Sequence, residues 1–379
     1  MDKQYRICTK CIMDTSDPYI TFDDKGVCNH CRTYDKKVAL EGYKGEQTDK
    51  KLKKLVARIK SENVNKEYDC ILGISGGVDS AYMAYIANQL ELRVLAVHVD
   101  AGWNSELAVQ NIQKMCKALN MDLHTVVIDW TAMKELQRAY MFSGVANLDV
   151  PQDHVFLAAM YQYADKYDVK YMLNGSNFAT EGILPQAWGY AAIDFKCIKN
   201  IYRACGRGKP IFNKYPHFGL IKYALYQRKI KRINLLNYIP YSKSKAIEVL
   251  SREFDWKYYG GKHFESRFTK FFQSYYLPRK FGYDKKRAHL SSLIVGGELS
   301  RKQALTEMAD TSAYTEKQML EDRDYVMKKL EISEKEWEGI MNAPCKTEEE
   351  YGTNEKLLKL LIDMKHKNKV NKAGKRKLL

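Results

Sequence analysis

Asp69-Cys70-Ile71-Leu72-Gly73-Ile74-Ser75-Gly76-Gly77-Val78-Asp79-Ser80 is the stretch on which the fold turns. Its first half is a short apolar run with the length of a buried strand. Ser75 to Val78 forms a glycine loop, and residues 79–90 carry a helical pattern. A strand, a tight turn and a helix in that order aim backbone N–H groups and the positive end of a helix dipole at one point. Two adjacent glycines, Gly76 and Gly77, let the backbone turn and come close to phosphate oxygens. Ser75 and Ser80 can donate hydroxyl hydrogen bonds to the same oxygens. Asp79 would repel a phosphate unless the two share Mg²⁺, which makes it the expected Mg²⁺ ligand. Gly-Gly by itself would fit a plain strand–turn–helix corner. The whole string in this context points to phosphate binding.

Outward from the loop, residues 93–99, 123–128 and 170–174 read as further apolar strands. Helical patterns cover 106–119, a stretch from about 131, and 151–167. The alternation implies a parallel sheet with helices on both faces. Ligands of such sheets bind beyond the carboxyl ends of the strands. His98 ends the second strand, where nucleoside contacts are expected, or is simply a packed strand residue. The fourth strand ends in Asn174-Gly175-Ser176-Asn177, with Glu181 just beyond. Gly175 lets a ligand approach the backbone there, or marks an ordinary turn. Asn177, Glu181 and His263 are the candidates for contacting the acceptor substrate. The S-G-G-x-D-S string resembles the PP-loop of the ATP pyrophosphatase superfamily. It is not a Walker A loop, since no G-K-[ST] follows. The resemblance implies cleavage of ATP between its α and β phosphates, with the loop gripping pyrophosphate.

The 379-residue chain divides into five zones. Residues 1–40 hold paired cysteines, and 41–67 read as a helical linker with Leu52, Leu55, Val56 and Ile59 at helical spacing. The loop domain spans 68–240. A helical region spans 241–345, with helices expected over 244–254, 264–276, 301–308 and 316–329. A basic tail, 346–379, carries Lys365, Lys367, Lys369, Lys372, Lys375, Arg376 and Lys377. That tail supplies part of the net charge of +16 and reads as a solvated end. A basic excess fits nucleic acid, acidic lipid or phosphorylated small molecules, and the part outside the tail can build a site for anionic ligands, with nucleic acid not the expected partner. No apolar run approaches a membrane span, and Met1-Asp2-Lys3-Gln4 leads into charges rather than a signal-peptide core. A cytoplasmic protein is expected.

Nine cysteines are present. Cys8-Thr9-Lys10-Cys11 and Cys28-Asn29-His30-Cys31 are C-x-x-C pairs with 16 residues between them. Each pair can point two thiolates at one ion, and together they make a closed structural Zn²⁺ site. A segment this polar has little core, so the metal is expected to supply folding energy. His30 is superfluous to four cysteines, though it can substitute. The other five cysteines are scattered, which fits a reducing compartment.

Two basic stretches follow: Gly260-Gly261-Lys262-His263-Phe264-Glu265-Ser266-Arg267-Phe268-Thr269 and Lys285-Lys286-Arg287-Ala288-His289-Leu290-Ser291. A charge-rich transition state at phosphorus needs cations, for which Lys262, Arg267, Lys286 and Arg287 are candidates. Glu265 can hold Mg²⁺ or take a proton from attacking ammonium. The competing reading is an amphipathic helix with a solvated charged face.

Taken together, these blocks resemble the N-acetyl sugar amidotransferase family of surface-polysaccharide and nonulosonic-acid synthesis, over nearly the whole chain. The resemblance rests on the cysteine pairs, Thr21-Phe22-Asp23-Asp24-Lys25-Gly26-Val27-Cys28 and the loop. It also rests on Lys262-His263-Phe264-Glu265-Ser266, Tyr275-Tyr276-Leu277-Pro278-Arg279-Lys280-Phe281 and His289-Leu290-Ser291-Ser292-Leu293-Ile294. It implies a five-stranded parallel PP-loop sheet, of the adenine nucleotide alpha hydrolase-like type. The implied reaction turns a sugar acetamido group, on a sugar expected to be nucleotide-activated, into an acetamidino group. ATP adenylylates the amide oxygen and ammonia displaces AMP. Family loops usually carry Lys where this chain has Val78, so other cations must replace that contact. An N-terminal-nucleophile glutaminase would need Cys at position 2, which is Asp2, and no G-x-C-x-G turn is present. A separate glutaminase is therefore expected, in a pair like the two subunits of imidazole glycerol phosphate synthase. The rival readings are a tRNA-thiolating PP-loop enzyme using Cys197 and Cys205, a non-catalytic zinc and nucleotide-binding adaptor, and nicotinamide-synthetase-like or asparagine-synthetase-like amidation, which does not explain the cysteine pairs.

Overall fold

The computed structural model describes residues 4–189, 191–358 and 360. At its centre lies a five-stranded sheet of order β3-β2-β1-β4-β5, formed by β1 (Cys70–Gly73), β2 (Val94–Asp100), β3 (Asp122–Val127), β4 (Tyr171–Leu173) and β5 (Lys231–Ile233). Every pairing is parallel, with Ile71 opposite Leu95 on one side and Met172 on the other. β1 to β4 lie where the apolar runs placed them. β5 left no signal, because it is three residues long and two of them are exposed Lys231 and Arg232. Such charges suit the edge of a sheet.

Alternate residues serve opposite faces, as strand geometry requires. Cys70, Leu72, Val94 and Ala96 pack in one core, and Ile71, Leu95, Val97 and Val99 in another. Ahead of the sheet run α1 (Asn29–Glu41) and α2 (Glu46–Glu62). Within it follow α3 (Val78–Gln89), α4 (Glu106–Ala118), α5 (Trp130–Ser143), α6 (Val150–Lys166), α7 (Phe178–Glu181), α8 (Phe195–Cys205) and α9 (Leu220–Lys229). Beyond it come α10 (Lys243–Phe254), α11 (Arg267–Phe271), α12 (Leu277–Phe281), α13 (Lys285–Val295), α14 (Arg301–Ala309), α15 (Glu316–Leu330) and α16 (Glu334–Asn342). Leu52 and Ile59 of α2 join α3 and α4 in the Leu72 core, together with Ala246 and Leu250 of α10 and with Trp256. The Ile71 core takes α5, α6, α8 and the C-terminal helices.

The single helix expected over 264–276 is broken. It starts at Arg267, where Ser266 Oγ accepts from Thr269 N at 3.2 Å, and passes through a π turn over Phe272–Tyr276. Pro278 has no N–H to donate, and the π turn ahead of it carries the chain on into α12 without a gap.

The cysteine segment docks on this C-terminal region. Arg301 donates to Cys8 O at 3.0 Å and to Cys11 O at 3.0 Å, and Ile12 N donates to Ser291 Oγ at 3.3 Å. At the far end, Asn200 Nδ2 of α8 donates to Tyr351 O at 2.8 Å. The lysines and arginine of the tail from Lys365 on lie outside the described residues. Among the described residues no helix is long and apolar enough to cross a membrane.

Candidate active site

The loop is built as its residue types demand. Gly76 has φ +82°, and a methyl group there would lie 2.6 Å from Ala108 O on α4, so conformation and space both require glycine. Ser75 Oγ and Ser80 Oγ lie 3.1 Å apart, and Gly77 N donates to Ser75 Oγ at 3.2 Å. α3 opens at this turn with no side-chain cap on its N-terminus. Val78 N at its first turn donates to the Tyr259 hydroxyl at 3.1 Å, and the positive end of its dipole faces the cavity above the strand ends.

That cavity holds about 240 Å³ and is lined by Ser75, Gly77, Val78, Asp79 and Ser80 from one side. Gly175, Ser176, Thr180 and Glu181 face them from beyond β4, and Lys243, Tyr259, Lys262, His263 and Glu265 close it from the C-terminal region. It sits between β1 and β4, where the strand order reverses.

Three carboxylates, Asp79, Glu181 and Glu265, and two lysines, Lys243 and Lys262, line it. Asp79 accepts from the Tyr241 hydroxyl and, at 3.1 Å, from Thr180 Oγ1. Burial raises the Asp79 pKa, with Lys262 pulling the other way. Lys262 Nζ lies 3.0 Å from Glu181 Oε1. Burial works to raise the Glu181 pKa, but Lys262 outweighs it and holds the carboxyl below its usual range. Two carboxylates from opposed elements, with lysines at hand for phosphate oxygens, fit Mg²⁺ carried in with phosphate groups. That ion typically takes one or two protein carboxylates and fills the rest with water and phosphate.

The C-terminal segment is sewn onto the end of β2. Ser105 N donates to Glu265 O at 2.8 Å and Arg267 N to Trp103 O at 2.9 Å, with Asn104 bridged to Ser266. This fixes Lys262, His263 and Glu265 over the loop. A methyl group on Gly77 would come within 3.2 Å of Glu265 Oε1 and of Tyr259 Oη. Glu265 Oε1 is 3.6 Å from His263 Nδ1, while its buried Oε2 has no hydrogen-bond partner. His263 holds φ +64°, a conformation rare outside glycine and enriched at functional sites.

A second cavity of about 300 Å³ adjoins the first over β1 and β2. Ile74, Val97, Val99, Phe156 and Met160 supply apolar walls, and His98, Asn104, Asp149, Gln152 and Asp153 polar ones. Ser75, His263 and Glu265 line both cavities. Asp149 is buried, and burial followed by the neighbouring Asp153 raises its pKa to about 7.

The structure thus gathers Ser75, Gly77, Asp79, Ser80, Gly175, Glu181, Lys262, His263 and Glu265 in one place, with His98 in the adjoining cavity. His98 is held on both nitrogens, by Ile74 O at 3.0 Å and Asn104 Nδ2 at 3.0 Å. Other expected contacts are placed elsewhere. The Val78 side chain packs into the Leu72 core, leaving only its backbone at the cavity. Asn177 is buried as the cap of α7, accepting from Thr180 N at 2.8 Å and donating to Gly175 O at 3.1 Å. Arg267 pairs with Asp322 and lies 3.8 Å over the Tyr325 ring. Lys286 donates to Glu307 O at 2.6 Å and to Asp310 O at 3.0 Å. Arg287 holds Asp14 Oδ2 at 3.2 Å and Ile12 O at 2.8 Å. None of these side chains reaches the cavities, because each satisfies an acceptor of its own helix bundle or of the cysteine segment. Sequence reasoning missed Lys243, Tyr241, Tyr259 and Thr180, which stand in no recognisable motif.

The cysteines form a separate centre. The Sγ atoms of Cys8, Cys11, Cys28 and Cys31 all lie within 4.8 Å of one another and are buried. Cys8 to Cys31 is 4.0 Å and Cys11 to Cys28 is 3.7 Å. A tetrahedron with Zn–S bonds of ~2.3 Å has edges near ~3.8 Å, so the cluster fits the metal. The Cys28 backbone N–H donates to Cys8 Sγ at 3.2 Å, as suits a thiolate. His30 turns away to Asp17 Oδ2 at 2.6 Å and is not a fifth donor.

Residues 265–365 match the LPS biosynthesis protein WbpG-like C-terminal domain, and residues 48–208 match NAD synthase. The chain thus joins an NAD synthase-type PP-loop domain to a C-terminal domain similar to that of a WbpG-like LPS biosynthesis protein. The first match begins at Glu265, at the seam where the C-terminal region meets the loop. Among solved structures, NMN synthetase from Francisella tularensis is 21% identical over 35% of this chain and 56% of that one, with a TM-score of 0.28. The NH3-dependent NAD synthetase from Campylobacter jejuni is 17% identical over 55% and 93%, with a TM-score of 0.29. NAD+ synthetase from Burkholderia pseudomallei is 16% identical over 60% and 95%, with a TM-score of 0.28. The chain spans only about half the length of the first of these. Among curated proteins none matches.

Proposed function

We propose that this chain is a cytoplasmic ATP-dependent amidotransferase that converts a sugar acetamido group into an acetamidino group, releasing AMP and pyrophosphate. One observation carries the reading: Ser75, His263 and Glu265 line both cavities, so a reacting centre there touches the phosphate side and the nucleoside side at once. The β and γ phosphates lie on the loop N–H groups, Ser75 and Ser80, with Lys243 and Lys262 opposite. Asp79 and Glu181 would hold Mg²⁺, which would supply positive charge to the leaving pyrophosphate when bound. The second cavity is of ligand size and takes the nucleoside against Ile74, Val97 and Met160.

The acetamide oxygen attacks the α-phosphorus at the shared boundary and pyrophosphate leaves. Ammonia adds to the resulting imidate carbon, the C–O bond to AMP breaks, and Glu265 accepts the proton that the new nitrogen sheds. Its unpartnered Oε2 leaves an acceptor free for this. A separate glutaminase supplies the ammonia.

Thiol chemistry finds less support. Among the described residues no cysteine lines either cavity. Cys197 is buried, with its thiol pushed up to about 12 by burial first and by Asp194 and Glu348 second, and Cys205 lies 3.7 Å from the Tyr351 hydroxyl.

The test is incubation with ATP, Mg²⁺, ammonium and a panel of nucleotide-activated acetamido sugars. AMP formation with a product lighter by about one mass unit, oxygen replaced by NH, is expected for one of them. Nucleotide turnover to ADP, or a sulfur-containing product on RNA, contradicts the reading.

A further inference from the structure

The cysteine segment does more than gather four thiols: its helix touches the turn that carries a pocket carboxylate. Tyr34 of α1 is buried, and a methyl group on Gly182 would lie 2.4 Å from its ring. Gly182 directly follows Glu181, the partner of Lys262. The ring occupies the space that only glycine leaves open, so α1 abuts the C-terminal end of α7.

A second set of contacts holds the same turn from the other side. Ser292 Oγ accepts from Ile183 N at 2.9 Å and lies 3.3 Å from Ile183 O. A methyl group on Gly296, at the end of α13, would meet Ala179 O at 2.8 Å. The neighbouring Ser291 and Arg287 of α13 are the groups that grip Ile12 and Asp14. α7 has four residues and no core of its own, yet it bears Thr180, which holds Asp79, and Glu181, which holds Lys262. Its position is therefore set by what pinches it.

We infer that Tyr34 is a positioning residue for the phosphate cavity: through Gly182 it fixes Glu181, and hence Lys262, against the loop. The inference rests on the phosphate and Mg²⁺ reading of that cavity. Ligand groups held a fraction of an ångström out of place lose affinity steeply.

The experiment is a double-mutant cycle on the full chain, measuring equilibrium binding of MgATP and the Mg²⁺ concentration for half-maximal binding. Metal content and urea stability are followed alongside. Tyr34→Ala and Gly182→Ala should each weaken MgATP binding about tenfold and raise the Mg²⁺ requirement. The double variant should lose less than the product of the two, since removing the ring relieves the nearest clash and leaves only that with Phe178 O at 2.8 Å. Tyr34→Phe, which keeps the ring, should restore wild-type values. Additive losses, or unchanged binding in folded, metal-loaded Tyr34→Ala, overturn the inference. Should Tyr34→Ala fail to fold, Gly182→Ala alone decides: it must weaken MgATP binding with urea stability kept. A wild-type chain that binds no MgATP removes the reading beneath the inference and the inference with it. Wild-type binding with unaffected variants removes the inference alone.

Discussion

The phosphate loop and the basic C-terminal segment encode their chemistry in different ways. In the loop the working groups are neighbours in sequence and mostly backbone, so Ser75 to Ser80 arrive together once β1 and α3 form. In the C-terminal segment four cations of the same kind end in four environments. Lys262 meets Glu181 in the cavity, while Arg267 meets Asp322, Lys286 the carbonyls of Glu307 and Asp310, and Arg287 Asp14. Long side chains go to whatever acceptor packing brings within reach, and sequence order does not record which acceptor that is. A run of basic residues is therefore a pool of candidates, whereas a glycine loop between strand and helix is a site.

The sharpest way to break this contrast is Asp79→Asn. It should lower kcat/KM by ~100-fold or more in a pyrophosphate-release assay, with little change in urea stability, since it removes charge where Mg²⁺ is expected and keeps the shape. Next comes the comparison of Lys262→Ala with Arg267→Ala. The first should cost ~10–100-fold in kcat/KM. The second should leave kcat/KM within about threefold but destabilise the fold by ~1–3 kcal/mol, because buried Asp322 loses a partner. Arg287→Ala should behave like the Arg267 variant, losing ~1–3 kcal/mol as Asp14 and the Ile12 carbonyl are left short of donors. Activity lost at Arg287 without loss of stability would erase the distinction between the two regions.

The smallest effect is a control outside both. His154 is buried among Phe195, Tyr215 and Phe218, and burial lowers its pKa to about 4 from a usual 6.5. The unfolded chain binds this proton first. The neutral ring therefore contributes stability above pH 6.5 that is lost as pH falls toward 4, by at most ~3 kcal/mol. Urea titrations at pH 7 and pH 4.5 should show the loss in wild type and a smaller one in His154→Phe, with kcat at pH 7 unchanged.

Much of the fold was legible because β1, β2 and β4 are short, mostly apolar runs alternating with helical stretches. β5 was not, since Lys231 and Arg232 are edge residues with no hydrophobic signature. The cysteine spacing identified the four-thiol cluster, but not its docking on Arg287, Ser291 and Arg301, contacts between segments some 280 residues apart. Of the cavity, the strand ends and the loop were readable. Lys243, Tyr241 and Tyr259 were not, because they contribute single side chains from α10 and from the loops just before and after it. Asn177 shows the reverse error. It stands at a strand end beside the site, yet both ends of its amide are used to cap α7.

The central claim is that ATP is cut between its α and β phosphates with the outer two held on Ser75 to Ser80. ATP labelled separately at the α and γ phosphorus, given with Mg²⁺, ammonium and the accepted sugar, reads this directly. The account predicts label from the α position in AMP and from the γ position in pyrophosphate, both suppressed in Asp79→Asn. Label from the α position in ADP, with the γ label released as orthophosphate, would contradict it.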